Sequence, residues 1–436
     1  VTPDQLRQLD KEHFWHPFTQ MKAWSAPGHD PLVITSGKGV FLQDSEGNEY
    51  IDGNSSIWTN IHGHRHPDID SALRDQIDRI SHCSALGTTN EPAIRLAAEL
   101  VKFFPADTLT KVFFTDDGST AIECACKMAL QYRQLTGQPE RSNFLAFDQA
   151  YHGDTAGAAS LGGIAVMHER FRNTGFPVTH ISSAEDLDKL TEEQIKLLNA
   201  VCIEPLIQGA AGMQTWPAGM LAQLHAWCQR HDILLILDEV MTGFGRTGTM
   251  FACEQEDVTP DFIALAKGLT GGYLPLAATL TTERIYQAFL GDTEQLNTFF
   301  YGHSYSGNPL GCVAALANLA IFEKEKTLEQ LGPKIDQLRS LLEKYFSDRT
   351  NVGAIRQCGL IAGIDIVQGN GAAYPWQEQT GHRICLEARR HGLLTRPVRD
   401  TLVLMPPLCI TDEQLQTAVS ALRDAVDAIC TSAPGS

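Results

Sequence analysis

The stretch Pro260–Pro275, PDFIALAKGLTGGYLP, places one lysine where an amine could react. Its apolar run at 262–266 ends in Lys267, and glycines follow at 268, 271 and 272. Most lysines at strand ends lay their stems on apolar surface and keep the charge in water. A lysine desolvated by its own strand is the alternative, an amine nucleophile with a depressed pKa. The glycines after it would let backbone come close to a ligand. Asp238 closes the run ILLILD, and an acid ending an apolar strand needs a cationic partner or a cap. A protonated ring nitrogen would be such a partner. Gly118, Ser119 and Thr120 follow KVFFTDD and open a helical pattern. They either cap that helix or offer N–H groups, hydroxyls and the helix dipole to a phosphate. Tyr151, in AYHGD, is either half-buried in the ordinary way or stacked on a flat ring.

The elements around these residues place them together. Short apolar runs at 143–147, 200–205, 233–240 and 262–268 read as buried strands, with helical patterns between several of them. HPDIDSALRDQIDRI carries Pro67 at its start and Ile69, Leu73, Ile77 and Ile80 on one face. This alternation predicts an α/β domain with a mainly parallel sheet. Residues 31–60 read as β structure with a turn near 46–48. From about 325 the pattern turns charged and helical and leads into a C-terminal α+β portion; the final TSAPGS is expected to fray. In open α/β sheets ligands sit beyond the C-terminal ends of the strands. Asp116–Thr120, Tyr151, Glu204, Asp238 and Lys267 all lie just past such ends. An amine for an aldehyde, an acid for a ring nitrogen, an aromatic face and a phosphate cup describe a pyridoxal phosphate site.

Composition narrows the class. At 436 residues the chain is long for one compact core. Its net charge of -18 argues against general nucleic-acid binding, which needs a basic surface. The sequence has no signal-peptide pattern, and no uncharged apolar stretch nears the roughly 18–20 residues of a membrane span. Eleven cysteines without a CxxC pair suit reduced thiols and a cytoplasmic location. His62, His64 and His66 in HGHRH invite a metal reading, but no carboxylate or cysteine stands at a spacing that completes a ligand set, so no metal is expected.

The 233–280 stretch, from ILLILDEV through LAKGLTGGYLPLAATL, resembles the signature of class III, ω-type aminotransferases of PLP fold type I. That resemblance implies a large domain with a mainly parallel mixed sheet and a smaller α+β domain. It divides the chain into an N-terminal segment at 1–60 that joins the small domain, a large PLP-binding domain at 61–325 and a C-terminal small domain at 326–436. Lys267 is implied to join the cofactor's aldehyde, Asp238 to meet the pyridinium nitrogen, and Val240 to pack on the ring face opposite Tyr151. Gly118, Ser119 and Glu204 complete the cofactor residues on this chain.

Five further stretches are similar to the adenosylmethionine–8-amino-7-oxononanoate aminotransferases of biotin synthesis. They are WHPFTQM (15–21), DGNSSIWTNIHGHRHP (52–67), AYHGDTAGA (150–158), GHSYSGNPLGC (302–312) and LLTRPVRDTLVLMPPL (393–408). The likeness implies a homodimer with active sites at the subunit interface, where Ser304, after Gly302 and His303, reaches the neighbouring subunit's phosphate. It implies that Arg396 holds a substrate carboxylate, for which a guanidinium fork is suited. Phe18 and Trp58 would line the substrate channel, and Arg246, in GFGRTG, is a second arginine near the substrate. The chain departs at Phe18, where some members have tyrosine, at Ile57-Trp58, where some have two tryptophans, and at His303, where others have proline. These changes resemble the lysine-using branch, so the amino donor is read as S-adenosylmethionine or lysine. The alternatives are a class III aminotransferase for acetylornithine, 4-aminobutyrate or a diamine, and a non-catalytic PLP-fold protein.

Overall fold

The computed structural model describes residues 1–171 and 174–430. Every side chain of Leu234–Asp238 is buried, so both faces of this strand must be covered. It lies in the middle of a seven-stranded sheet, between Phe262–Leu265 and Leu198–Ile203. Beyond the first come Ala277–Thr282 and Leu109–Thr115; beyond the second come Asn143–Phe147 and Val178–Ile181. Neighbours pair in parallel except at Ala277–Thr282, which is antiparallel to both strands beside it. Six strands therefore share one direction, and the ends at Thr115, Phe147, Ile203, Asp238 and Leu265 form one rim.

Small buried residues let the helix Gly118–Leu135 lie close on this sheet, with Ala121, Cys124, Ala125 and Ala129 all at 0% exposure. Its start is a capping box: the Asp117 carboxylate accepts from Thr120 N at 2.9 Å, and Thr120 Oγ1 accepts from Asp117 N at 3.1 Å. The helix Pro67–Arg79 is present as read, with Ile69 buried, yet Ile77 and the following Ile80 face solvent.

The N-terminal β region forms Ile34–Lys38, Phe41–Asp44 and Glu49–Asp52. Its turn is held by Asp44 Oδ1, which accepts from Glu46 N and Asn48 N at 2.9 Å each. The fourth strand of that sheet comes from far along the chain: Leu393–Leu394 runs parallel to Glu49–Asp52. The expectation of β structure up to residue 60 is corrected at Ser55–Trp58, where four successive residues have φ between 47° and 68°. Side chains of Asp52 and Asn54 bind this segment and outcompete a strand ladder.

After the helix Leu331–Phe346, strands Val352–Cys358, Ile361–Ile366 and Thr401–Leu404 form an antiparallel sheet. The helices Thr380–Arg390 and Asp412–Cys430 pack on each other beside it, giving the α+β portion. The expected frayed end at 431–436 lies outside the described residues. Among the described residues no helix is long and apolar enough to cross a membrane.

Candidate active site

A cavity of about 430 Å³ opens beyond the shared strand rim. Gly118, Ser119, Tyr151, Glu204, Asp238, Val240 and Lys267 line it from five segments at the strand ends, and Trp58 joins them from the Ser55–Trp58 turn. Lys267 follows the fully buried Phe262–Leu265 strand and takes a left-handed φ of 43°, a strained backbone for a lysine. Its Nζ lies 4.7 Å from the centre of the Trp58 ring. Burial pushes its pKa below the usual lysine value, with Asp238 and Glu204 opposing. That favours the neutral amine, the nucleophilic and basic form.

Asp238 is 5% exposed and has a donor at each oxygen. Val240 N donates to Oδ1 at 3.1 Å, and His152 Nδ1 lies 2.7 Å from Oδ2. Burial alone would lower the His152 pKa, but the hydrogen bond and charge of Asp238 raise it. The His152 Nε2 atom is buried and has no hydrogen-bond partner among the described residues. His152 is a site residue that sequence reasoning missed. The sequence displays it beside Tyr151, but nothing there marks Asp238 as its partner.

Glu204 braces the Tyr151 segment. Its carboxylate accepts from Gly209 N at 3.0 Å and Tyr151 N at 3.2 Å, and burial pushes its pKa up to about 7. The Tyr151 hydroxyl donates to Asp154 Oδ2 at 2.6 Å; burial, then this bond, raises its pKa. Phe18 comes from the N-terminal segment and sets its ring edge-on to Tyr151, 6.5 Å between centres.

The structure tests whether these residues suit pyridoxal phosphate. A Cβ on Gly118 would stand 2.7 Å from Val240 Cγ1, and one on Gly153 would stand 2.3 Å from Ser119 Oγ. These two glycines let Val240 and Ser119 pack close beside the helix start at the cavity wall. Two N–H groups of the first helical turn, Gly118 and Ser119, have no acceptor among the described residues, which suits a phosphate. A buried acid backed by a histidine suits a ring nitrogen. The residues fit the cofactor.

Other expectations meet a different geometry. The glycines after Lys267 admit protein more than ligand. A Cβ on Gly271 would stand 2.7 Å from Asn318 Oδ1, and one on Gly272, at φ 85°, 2.9 Å from the Asn60 backbone. Only Gly272 of the three also lines the cavity. Arg246 is not brought to the cavity: it is 0% exposed, and its guanidinium donates to Pro406 O and Asn60 O at 2.7 Å each. Burial lowers its pKa to about 10. The resemblance implied an arginine near the substrate, whereas the tertiary fold closes over this one. Arg396 is exposed and, among the described residues, has no ion pair. Gly302 and Ser304 do not line this chain's cavity; His303 Nδ1 stands 3.7 Å from Asp116 Oδ2 at its edge. The three histidines of HGHRH have separate partners: His62 with Asn318 O, His64 with Asp52 and His66 with Glu325.

Residues 24–426 match the family model for class-III aminotransferases. The chain belongs to that family. It is similar over nearly its full length to the adenosylmethionine-8-amino-7-oxononanoate aminotransferase of Nitratidesulfovibrio vulgaris, at 47% identity covering 98% of this chain and 82% of the relative. The protein of the same name from Geobacter sulfurreducens is 44% identical, covering 97% and 98%. The crystal structure of the Methanocaldococcus jannaschii protein of that name superposes with a TM-score of 0.94 at 40% identity, covering 98% of this chain and 99% of that one. An (S)-enantioselective ω-transaminase from Thermomicrobium roseum superposes at 0.92 with 31% identity, over 98% and 99%. The protein is a PLP-dependent aminotransferase with the mixed α/β architecture of fold type I, as the resemblance at 233–280 implied.

Proposed function

We propose that this aminotransferase converts 8-amino-7-oxononanoate to 7,8-diaminononanoate in biotin synthesis, with S-adenosylmethionine or lysine as amino donor. The observation that carries the reading is full-length similarity to several aminotransferases named for that substrate. Bound pyridoxal phosphate supplies an electron sink that makes the substrate's Cα proton acidic. Lys267 Nζ, whose pKa burial lowers from the usual lysine value, takes that proton and returns it. The Asp238 carboxylate, oriented by His152 and Val240 N, holds the proton at the ring nitrogen. Tyr151 and Val240 would hold the cofactor ring and the Gly118–Ser119 turn its phosphate, while Glu204 holds the Tyr151 main chain. Trp58 and Phe18 wall the substrate side. Arg396, exposed and without an ion pair, offers its fork to a substrate carboxylate.

The same reading includes a cytoplasmic homodimer with shared sites, in which Gly302, His303 and Ser304 serve the neighbouring subunit's cofactor. Exposed apolar side chains at Ile77, Ile94, Phe300 and Tyr305 support an interface there. In this reading the chain divides at about 60 and 325, and the pairing of Glu49–Asp52 with Leu393–Leu394 supports the N-terminal segment joining the small domain.

The test is a half-reaction on cofactor-loaded enzyme. S-adenosylmethionine or lysine should bleach the visible absorption band, and 8-amino-7-oxononanoate should restore it. A response only to 4-aminobutyrate or an ornithine derivative would overturn the substrate assignment. Turnover surviving in Lys267→Ala would overturn the mechanism.

A further inference from the structure

The segment Ser55–Trp58 is folded the wrong way round for L-amino acids. Its φ values are 47°, 50°, 64° and 68°, and Ser56 and Ile57 have ψ of 51° and 57°. This is one turn of left-handed helix built without a glycine. Single residues visit that region; four in succession are strained and persist only where surroundings hold them.

The surroundings are specific. Trp58 N bonds Asn54 O at 2.8 Å and Thr59 N bonds Ser55 O at 2.9 Å, closing the turn. Ser55 Oγ donates to Met405 O at 2.7 Å. The Asp52 carboxylate, 2% exposed, reaches into the turn from the end of the preceding strand. Its Oδ1 accepts from Ser56 N at 3.0 Å and its Oδ2 from Ser56 Oγ at 2.8 Å. Oδ2 also faces His64 Nε2 at 2.9 Å. Asn60 Nδ2 meets His64 Nδ1 at 3.1 Å, which leaves Nε2 to carry the hydrogen and donate to Asp52. The carboxylate thus has three donors, two of them from the strained residue itself.

The turn delivers Trp58 to the site. Its Nε1 donates to Asn54 Oδ1 at 2.8 Å, which sets the ring's orientation. One edge packs where a Cβ at Gly209 would lie 3.1 Å away, and the ring centre stands 4.7 Å from Lys267 Nζ. A right-handed or extended path through Ser56 would send Trp58 in another direction.

We propose that Asp52 is a positioning residue for the active site: by gripping Ser56 it holds the left-handed turn that sets Trp58 across from Lys267. Asp52 itself does not line the cavity. It acts through two intervening residues. The proposal rests on the aminotransferase site described above, but its structural readout needs no substrate.

The test uses full-length protein labelled with fluorotryptophan, with and without cofactor, and Trp58→Phe identifies the resonance of Trp58 among the six tryptophans. Asp52→Ala should move that resonance, leave the other five in place, and lower kcat/KM by about tenfold or more, chiefly through KM. Glycine takes positive φ without penalty. Adding Ser56→Gly to Asp52→Ala should therefore return both the resonance and KM toward the parent. That rescue is expected only if Asp52 acts by holding the backbone. Ser56 is exposed, so Ser56→Val disturbs the left-handed backbone without touching the core, and it should displace Trp58 even if Asp52→Ala does not fold. An unmoved Trp58 resonance in Ser56→Val, or in folded Asp52→Ala, overturns the proposal. So does a folded double variant that shows no rescue. If 8-amino-7-oxononanoate is not the substrate, kinetics fall away while the resonances still decide the role of Asp52.

Discussion

Replacing His152 by alanine tests how much the site depends on the second donor to Asp238. The variant keeps Val240 N on Oδ1 at 3.1 Å and removes the 2.7 Å contact at Oδ2. The acid is 5% exposed, so water does not readily replace the lost donor. A buried charge-assisted hydrogen bond contributes about 1.5–3 kcal/mol, or roughly ten- to 150-fold in rate if it acts fully in the transition state. The assay is the single-turnover rate of band loss with saturating donor, run below the melting temperature of every variant. His152→Asn places an amide N–H near the position of Nδ1 and should stay within about threefold of the parent. A loss below about threefold in His152→Ala would refute the reasoning. Equal losses in the alanine and asparagine variants would refute it too, because ring size and not the hydrogen bond would then matter.

Arg246→Met keeps most of the buried stem but strips two carbonyls of their donor, so unfolding free energy should fall by about 2–4 kcal/mol in a denaturant series. A large rise in KM at unchanged stability would instead return Arg246 to the substrate. Glu204 predicts a pH effect in cofactor-free protein. Burial raises its folded pKa from 4.5 to about 7, so the folded state holds this proton more tightly between those values. Its stabilising contribution is then full below the lower value and lost as pH rises through the upper one. Glu204→Gln should remove that loss, at most about 3 kcal/mol. Identical pH profiles of the two proteins in urea unfolding would exclude Glu204 as its source.

The sequence by itself determined the strands and the residues just past their ends. Because parallel strands present their C-terminal ends on one rim, that order was enough to bring Lys267, Asp238, Tyr151, Glu204 and the Gly118–Ser119 turn to one cavity. Apolar runs carry this information locally, through burial and period. The tertiary structure alone decided which groups stand behind these residues. His152 meets Asp238 only after two strands align, and Arg246 becomes buried only when Asn60 and Pro406 converge on it. Gly271 and Gly272 are required by Asn318 and Asn60, not by a ligand. The turn at Ser55–Trp58 read as β structure because periodicity reports which face a residue occupies, not the hand of its backbone. Asp52 and Asn54 bind the turn from four residues away, and Met405 O reaches it from a segment some 350 residues along the chain. Pattern in a sequence records local preference; satisfying buried polar groups is settled between segments far apart in the chain.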